Sequence, residues 1–320
     1  MECVMHHPQV QREHVRPDGN AASGTPCFQS ILALTDLSAR SQHAVERAAR
    51  LAADHGALLK LMYAPASLAP LAHAEAAAAL AALARAMAAR FDVLVKQVAI
   101  SSGGLAQIVD EARHADLVVL RHERDRSPGA FFTGQPVERL LRQLRCPVLV
   151  TRLAARPRYG RILVAVDFTP ASHELVSLAH GLDANAALEL FHALNTMHES
   201  KLRYAEVSDH AIRTYRHDCQ RQARERLFSL TDSSSARRNR VLSTIGRGDP
   251  ARQATVQQQH ARAELLVVGK RRAHPLADFF FGSVAQRVLC WATGDVLVVP
   301  TDRRGYSPSA VMPRALQPAR

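Results

Sequence analysis

The residues best suited to chemistry lie in two short stretches, each following an apolar run. Asp36 ends the run at 31–35 and Asp167 ends the run at 162–166, and a helical pattern follows each. A carboxylate there has two roles open to it. It can cap the backbone N–H groups of the following helix, or it can accept hydrogen bonds from a polar ligand such as a nucleoside. The second stretch reads Gly269-Lys270-Arg271-Arg272, then nine residues, then Gly282-Ser283-Val284. Ser283 with Gln286 three positions on is a capping box, which opens a helix. A helix start offers unpaired N–H groups and a positive dipole end to an anion. Gly282 lets the backbone approach a phosphate closely, and Ser283 adds a hydroxyl donor. The plain alternative is a well-capped helix with nothing bound. Lys270, Arg271 and Arg272 make the loop strongly positive. The Arg272 side chain either fills the pocket or grips a phosphate with its two-pronged guanidinium.

Other chemistry is thin. There is no G-x-x-x-x-G-K-[S/T] loop and no G-x-G-x-x-G after a strand. Ser101-Ser102-Gly103-Gly104 has the composition of an ATP-pyrophosphatase loop but lacks the Asp-Ser that should follow. Sixteen histidines contain no H-x3-H or H-E-x-x-H spacing, and His6 and His7 stand in an aperiodic tail, so no metal is expected. The five cysteines are scattered without a C-x-x-C pair, which excludes a disulfide framework or zinc knuckle. Cys146 and Cys290 read as small core residues, and reduced thiols suit the cytoplasm. No motif assembles a nucleophile with a base, and no general base stands out, so an enzyme is not expected.

The net charge of +12 raises the question of nucleic acid. Nearly all the cations are arginines spread through helical patterns, with lysine only at 60, 96, 201 and 270. The one dense cluster is Arg237, Arg238 and Arg240, in a serine-rich connection. A solvated surface is the stronger reading, and polyanion or RNA binding is the weaker one. No apolar run reaches the roughly 18–20 residues of a membrane helix. The alanine-rich 71–89 stretch is broken by His73, Glu75 and Arg85. The N-terminus lacks the pattern of a secretory signal, so a cytoplasmic protein is expected.

The elements that must position these residues come as an internal repeat. Residues 31–41 (ILALTDLSARS) lie over 162–172 (ILVAVDFTPAS) at an offset of 131, which pairs Asp36 with Asp167 and carries Leu59 onto Leu190. Further on the offset is 148, so that 116–120 match 264–268 and 134–150 match 282–298. The extra residues fall in the middle of the second copy. Each copy alternates short apolar runs with helical stripes, the pattern of a parallel sheet covered by helices. Strands are expected at 31–34, 57–63, 93–100, 116–120 and 148–150, and at 162–166, 188–194, 241–245, 264–268 and 296–299. The division is a tail at 1–27, a first domain at 28–152, a linker at 153–159, a second domain at 160–300 and a tail at 301–320. The linker is short enough for the two domains to pack as an internal pseudo-dimer, and a homodimer of chains is also open.

With these residues in place, the sequence resembles the universal stress protein family over both copies. The shared motifs are a first strand ending in Asp, the spacing G-x2-G-x9-G-[S/T], and a closing helix leading into P-V-L-V. The resemblance implies two tandem Rossmann-like α/β domains of the adenine nucleotide alpha hydrolase type, each with a five-stranded parallel sheet and flanking helices. In some members the signature binds ATP; others lack it and bind no nucleotide. Gly269, Arg272, Gly282 and Ser283 stand at the four signature positions, and Arg272 departs from the family's second glycine. The resemblance places Asp167 and the backbone at Ala193 against adenine and ribose. It places Gly269, Gly282 and Ser283, with Val284 beside them, against ribose and phosphates. The implied ligand is ATP, ADP or AMP, in a stress-responsive binding protein. In copy one, Arg121 and Arg124 replace the two early glycines and Gln135 replaces the hydroxyl residue. Pro136 removes an N–H from the first helical turn, and Glu138 opposes an anion there. Only Gly134 and Asp36 remain, so that copy reads as a degenerate counterpart. A nucleotide-free interaction scaffold is the rival expectation.

Overall fold

A computed structural model of the chain describes residues 28–65, 71–100, 104–121, 136–196, 204–205, 207–231, 241–270 and 284–301, with the backbone alone at 136–138. The first unit runs β1 (Ser30–Thr35), α1 (Ala39–His55), β2 (Leu58–Tyr63), α2 (His73–Phe91), β3 (Val95–Gln97), α3 (Gly104–Ala112), β4 (Leu117–Arg121), α4 (Pro136–Gln143) and β5 (Val148–Thr151). The second runs β6 (Arg161–Ala165), α5 (Ala171–Leu182), β7 (Ala187–Leu194), α6 (Asp209–Thr231), β8 (Leu242–Arg247), α7 (Pro250–His260), β9 (Leu265–Lys270), α8 (Val284–Trp291) and β10 (Asp295–Pro300).

All ten strands join one sheet in the order β3-β2-β1-β4-β5-β10-β9-β6-β7-β8. Pairing is parallel within each unit. It is antiparallel only at the seam, where Val150 faces Val296, Leu149 faces Leu297 and Val148 faces Val298. The central strands are apolar on both faces because helices cover both. Helices α1, α2, α5 and α6 bury one face with Ile31, Ala33, Leu59, Ile162 and Leu190. Helices α3, α4, α7 and α8 bury the other with Leu32, Val118, Leu163 and Leu266. Local signals set the helix ends. Ser38 caps α1 by accepting from the Ser41 N–H, and Gly56 ends it at φ 61°. Asp249 caps α7 by accepting from the Arg252 N–H, with Pro250 in the first turn.

The register corrects one feature of the repeat. Leu32 pairs with Lys60 and Leu163 with Glu189, so the second strands align at an offset of 129 rather than 131, and Leu59 does not correspond to Leu190. The first helix accounts for the shift. Gly56 ends α1 one residue before Ala57, while α5 stops at Leu182. Lys60 and Glu189 thereby occupy one place with opposite charge, both buried. Lys60 donates to the His114 carbonyl at 3.1 Å, whereas Glu189 accepts from Thr244 Oγ1 at 2.8 Å and Gln257 Nε2 at 2.6 Å. The third strands are shorter or shifted, at Val95–Gln97 and Leu242–Arg247, because they form the sheet's two outer edges.

Carboxylates fasten the start of each unit. Asp116 accepts from the N–H groups of Gln29 and Ser30 at 2.8 and 3.0 Å. Its counterpart Glu264 accepts from the Gly160 N–H and from Arg156 at 2.9 Å. A third carboxylate, Asp295, is fully buried at the seam. Its Oδ1 accepts from the N–H groups of Arg152 and Leu153 at 2.7 and 3.0 Å. Its Oδ2 accepts from the Tyr159 hydroxyl at 2.8 Å and lies 3.9 Å from the Arg47 guanidinium, which stacks on the Tyr159 ring at 4.1 Å. Arg47 also donates to the Arg156 carbonyl at 2.9 Å. One buried cluster therefore ties α1 of the first unit, the linker and β10 of the second.

Candidate functional site

In an open α/β sheet the crevice for a ligand opens at the carboxyl ends of the strands where the strand order reverses. In the second unit that point lies between β6 and β9. Ala165 pairs with Phe191 on one side and with Val268 on the other. Asp167, two residues beyond Ala165, therefore stands beside Ala193 of β7 and the Gly269–Lys270 end of β9. Val284 opens α8, which lies against β9 and β10. Arg272, Gly282 and Ser283 lie outside the described residues, as do Gly134, Gln135 and Arg124 of the first unit and the side chains of Pro136 and Glu138.

Neither aspartate caps its helix. Asp36 Oδ1 accepts from the Ser38 N–H at 3.0 Å, while Ser38 is the cap. Asp167 Oδ1 accepts from the Thr169 N–H at 3.1 Å, the Thr169 hydroxyl at 2.5 Å and the Ser172 hydroxyl at 3.3 Å. Both carboxylates thus brace a tight turn. The residue after each is left-handed, Leu37 at φ 64° and Phe168 at φ 59°. A bulky residue in that region is strained, and the strain recurs at the same place in both units. For Asp36, burial pushes the carboxyl up, but the Ser38 and Ser41 hydroxyls and the Ser38 N–H outweigh it and hold the group below its usual 3.8.

Gly269 has a packing reason to be glycine. A Cβ there would sit 2.9 Å from Thr301 Cγ2 and 3.3 Å from Leu175 Cδ1. Arg121, its counterpart in the first unit, pairs with Thr151 at the end of β4.

The sequence reading missed Phe168, which follows Asp167 in the chain, and His192 and Arg226, which pack with the Phe168 ring. His192 Nδ1 lies 2.8 Å from the Val166 carbonyl, and since a carbonyl only accepts, Nδ1 carries the proton. The imidazole stacks on Phe168 with centroids 4.1 Å apart, and the Arg226 guanidinium lies 5.7 Å from the Phe168 centroid. Burial holds the His192 imidazole below 6.5 against the pull of the Val166 carbonyl and Asp167, and Arg226 lowers it further. Phe168 was legible as the residue after the repeated Asp. Arg226 sits in the segment where the copies differ in length, which leaves no counterpart to compare. Among the described residues, no group of three or more His, Cys, Asp or Glu is placed to hold a metal ion. No helix among them is long and apolar enough to cross a membrane.

The sequence model of the universal stress protein family matches residues 28–152 and 158–300. Among solved structures, a universal stress protein from Archaeoglobus fulgidus DSM 4304 is similar over 85% of this chain and 96% of its own, at 15% identity and a TM-score of 0.63. A functionally unknown protein from Pseudomonas aeruginosa PAO1 is similar over 87% of this chain and 94% of its own, at 24% identity and a TM-score of 0.59. At these identities the likeness establishes the shared Rossmann-like fold. Among curated proteins, none matches the chain. The family match recurs over both units and spans most of the sequence, and the chain belongs to the universal stress protein family as a tandem, two-domain member.

Proposed function

We propose that this tandem universal stress protein is a cytoplasmic, stress-responsive binding protein whose second unit holds ATP or another adenine nucleotide. The first unit is its structural or regulatory partner. The observation that carries the reading is the strand register, which ends β6 two residues before Asp167 between the strand ends that carry Ala193 and Gly269. In this reading Asp167 and the Ala193 backbone face adenine and ribose. Gly269, Gly282 and Ser283 hold ribose and phosphates at the start of α8, beside Val284, where the helix end favours an anion. Arg272 grips a phosphate. The protein acts by binding rather than by catalysis, and no metal takes part. Calorimetric titration with ATP, ADP and AMP tests it. Saturable binding by the wild-type chain, lost in Gly282→Val, is the expected result. No saturable binding to the wild-type chain would sink the reading.

The packing around Gly269 favours a second reading, a nucleotide-free interaction scaffold. Thr301 and Leu175 require glycine there whether or not a ligand is present. In that case Arg272 closes the pocket, and Arg272→Gly should gain nucleotide binding that the wild-type chain lacks.

A further inference from the structure

The two units differ by one backbone rung at the end of the first strand. In the first unit β1 and β2 pair as far as Thr35 and Tyr63, and the Ala64 N–H donates to the Thr35 carbonyl at 2.8 Å. By register, Val166, His192 and Ala193 stand where Thr35, Tyr63 and Ala64 stand. In the second unit pairing ends one residue earlier, at Ala165 and Phe191. The Val166 N–H still donates to the Phe191 carbonyl at 2.9 Å. The Val166 carbonyl, however, is met by His192 Nδ1–H at 2.8 Å instead of by the Ala193 N–H. Backbone groups on a strand alternate sides. Since the Phe191 carbonyl points toward β6, the Ala193 N–H and C=O point the same way, beyond the last paired residue.

We infer that His192 is a positioning residue that holds the Ala193 backbone edge open for a ligand, by taking the carbonyl that would otherwise close it. The inference rests on the reading of this edge as the one that faces the base. Two contacts and one turn hold the imidazole in place. Its Nδ1–H is bound to Val166, one face packs on Phe168, and the left-handed turn at Phe168 sets that ring beside it. The turn is itself braced by Asp167 through Thr169 and Ser172. The device persists on protonation, because the imidazolium keeps its Nδ1–H. The first unit has Tyr63 at this place, whose hydroxyl instead accepts from the Leu71 N–H at 3.1 Å, and its rung is closed.

Amide hydrogen exchange at Ala193 in the ligand-free full-length chain, together with ATP titration, tests the inference. In His192→Phe, which removes the donor but keeps a ring against Phe168, the Ala193 amide should exchange at least about tenfold more slowly as the rung forms. ATP affinity should fall by about tenfold or more as a bond to the base is lost. In His192→Asn, whose amide nitrogen can stand in for Nδ1, fast exchange and ATP binding should both be kept. Unchanged Ala193 exchange in His192→Phe, or slowing in both variants alike, overturns the inference. Should the exchange pattern appear as expected while the wild-type chain binds no nucleotide, the positioning of the edge by His192 stands and the nucleotide reading falls.

Discussion

At the carboxyl end of its first strand the first unit closes on itself, whereas the second stops short and leaves the work to side chains. Thr35 is buried and fills the first unit's end. Its hydroxyl accepts from the Leu37 N–H at 3.0 Å and bonds Ser41 Oγ at 2.8 Å, while its carbonyl takes the Ala64 N–H. The second unit has Val166 there, with no hydroxyl to offer. Asp167 braces its turn without such a hydroxyl, and the carbonyl is taken by His192. Topology and register are otherwise shared. One duplicated fold thus carries a sealed end and an unsealed one, and a few polar side chains decide which is which.

The largest effect expected from breaking this pair of units comes at their seam. Asp295→Ala leaves Arg47 buried and the Arg152, Leu153 and Tyr159 donors unpaired, and should cost about 3–5 kcal/mol, read from denaturant unfolding. The first unit has Pro147 at that place and no such cluster. Next comes Gly269→Ala, which drives a methyl against Thr301 and Leu175 and should cost about 1–3 kcal/mol. Adding Thr301→Ser removes the struck methyl, keeps the hydroxyl, and should recover most of the loss. Arg121→Ala, at the matching place in the first unit, should stay within about 0.5 kcal/mol. If both substitutions cost the same, the glycine's packing role is wrong. The smallest effect is on pH dependence. Burial holds His55 in the first unit and His192 in the second below 6.5. Just below that pH the unfolded chain binds more protons than the folded one. Stability is therefore full above pH 6.5 and is lost as pH falls through it toward the folded pKa values. Stability curves for His55→Gln and His192→Gln should each be flatter there than the wild-type curve.

Much of the fold was legible because a doubly covered parallel strand has to be apolar on both faces, and such runs as 31–34 and 265–268 are hard to read otherwise. The placement of Asp116 with Glu264 was legible too, since the same offset carries one onto the other. The second-strand alignment misled because leucines at 59 and 190 match by type, while the sheet aligns Lys60 with Glu189. Side-chain identity at a buried polar place had inverted, and only backbone register exposes that. For the candidate site, the aspartates were found, but one of the two roles open to them does not hold. Helix capping was weighed for them, yet Ser38 caps one helix and both carboxylates brace turns. His192 gave no signal. A histidine inside an apolar strand reads as ordinary, and its role depends on a carbonyl 26 residues away in sequence.

The seam also carries an address. Arg47, Tyr159 and Asp295 correspond in the repeat to Leu178, Phe28 and Pro147, three residues without a charge or a hydroxyl among them. A pairing of two first units would bury two arginines with no carboxylate to meet them, and a pairing of two second units would bury two carboxylates facing leucine. The seam is held by unlike parts, and each half meets in the other a group that it does not carry itself.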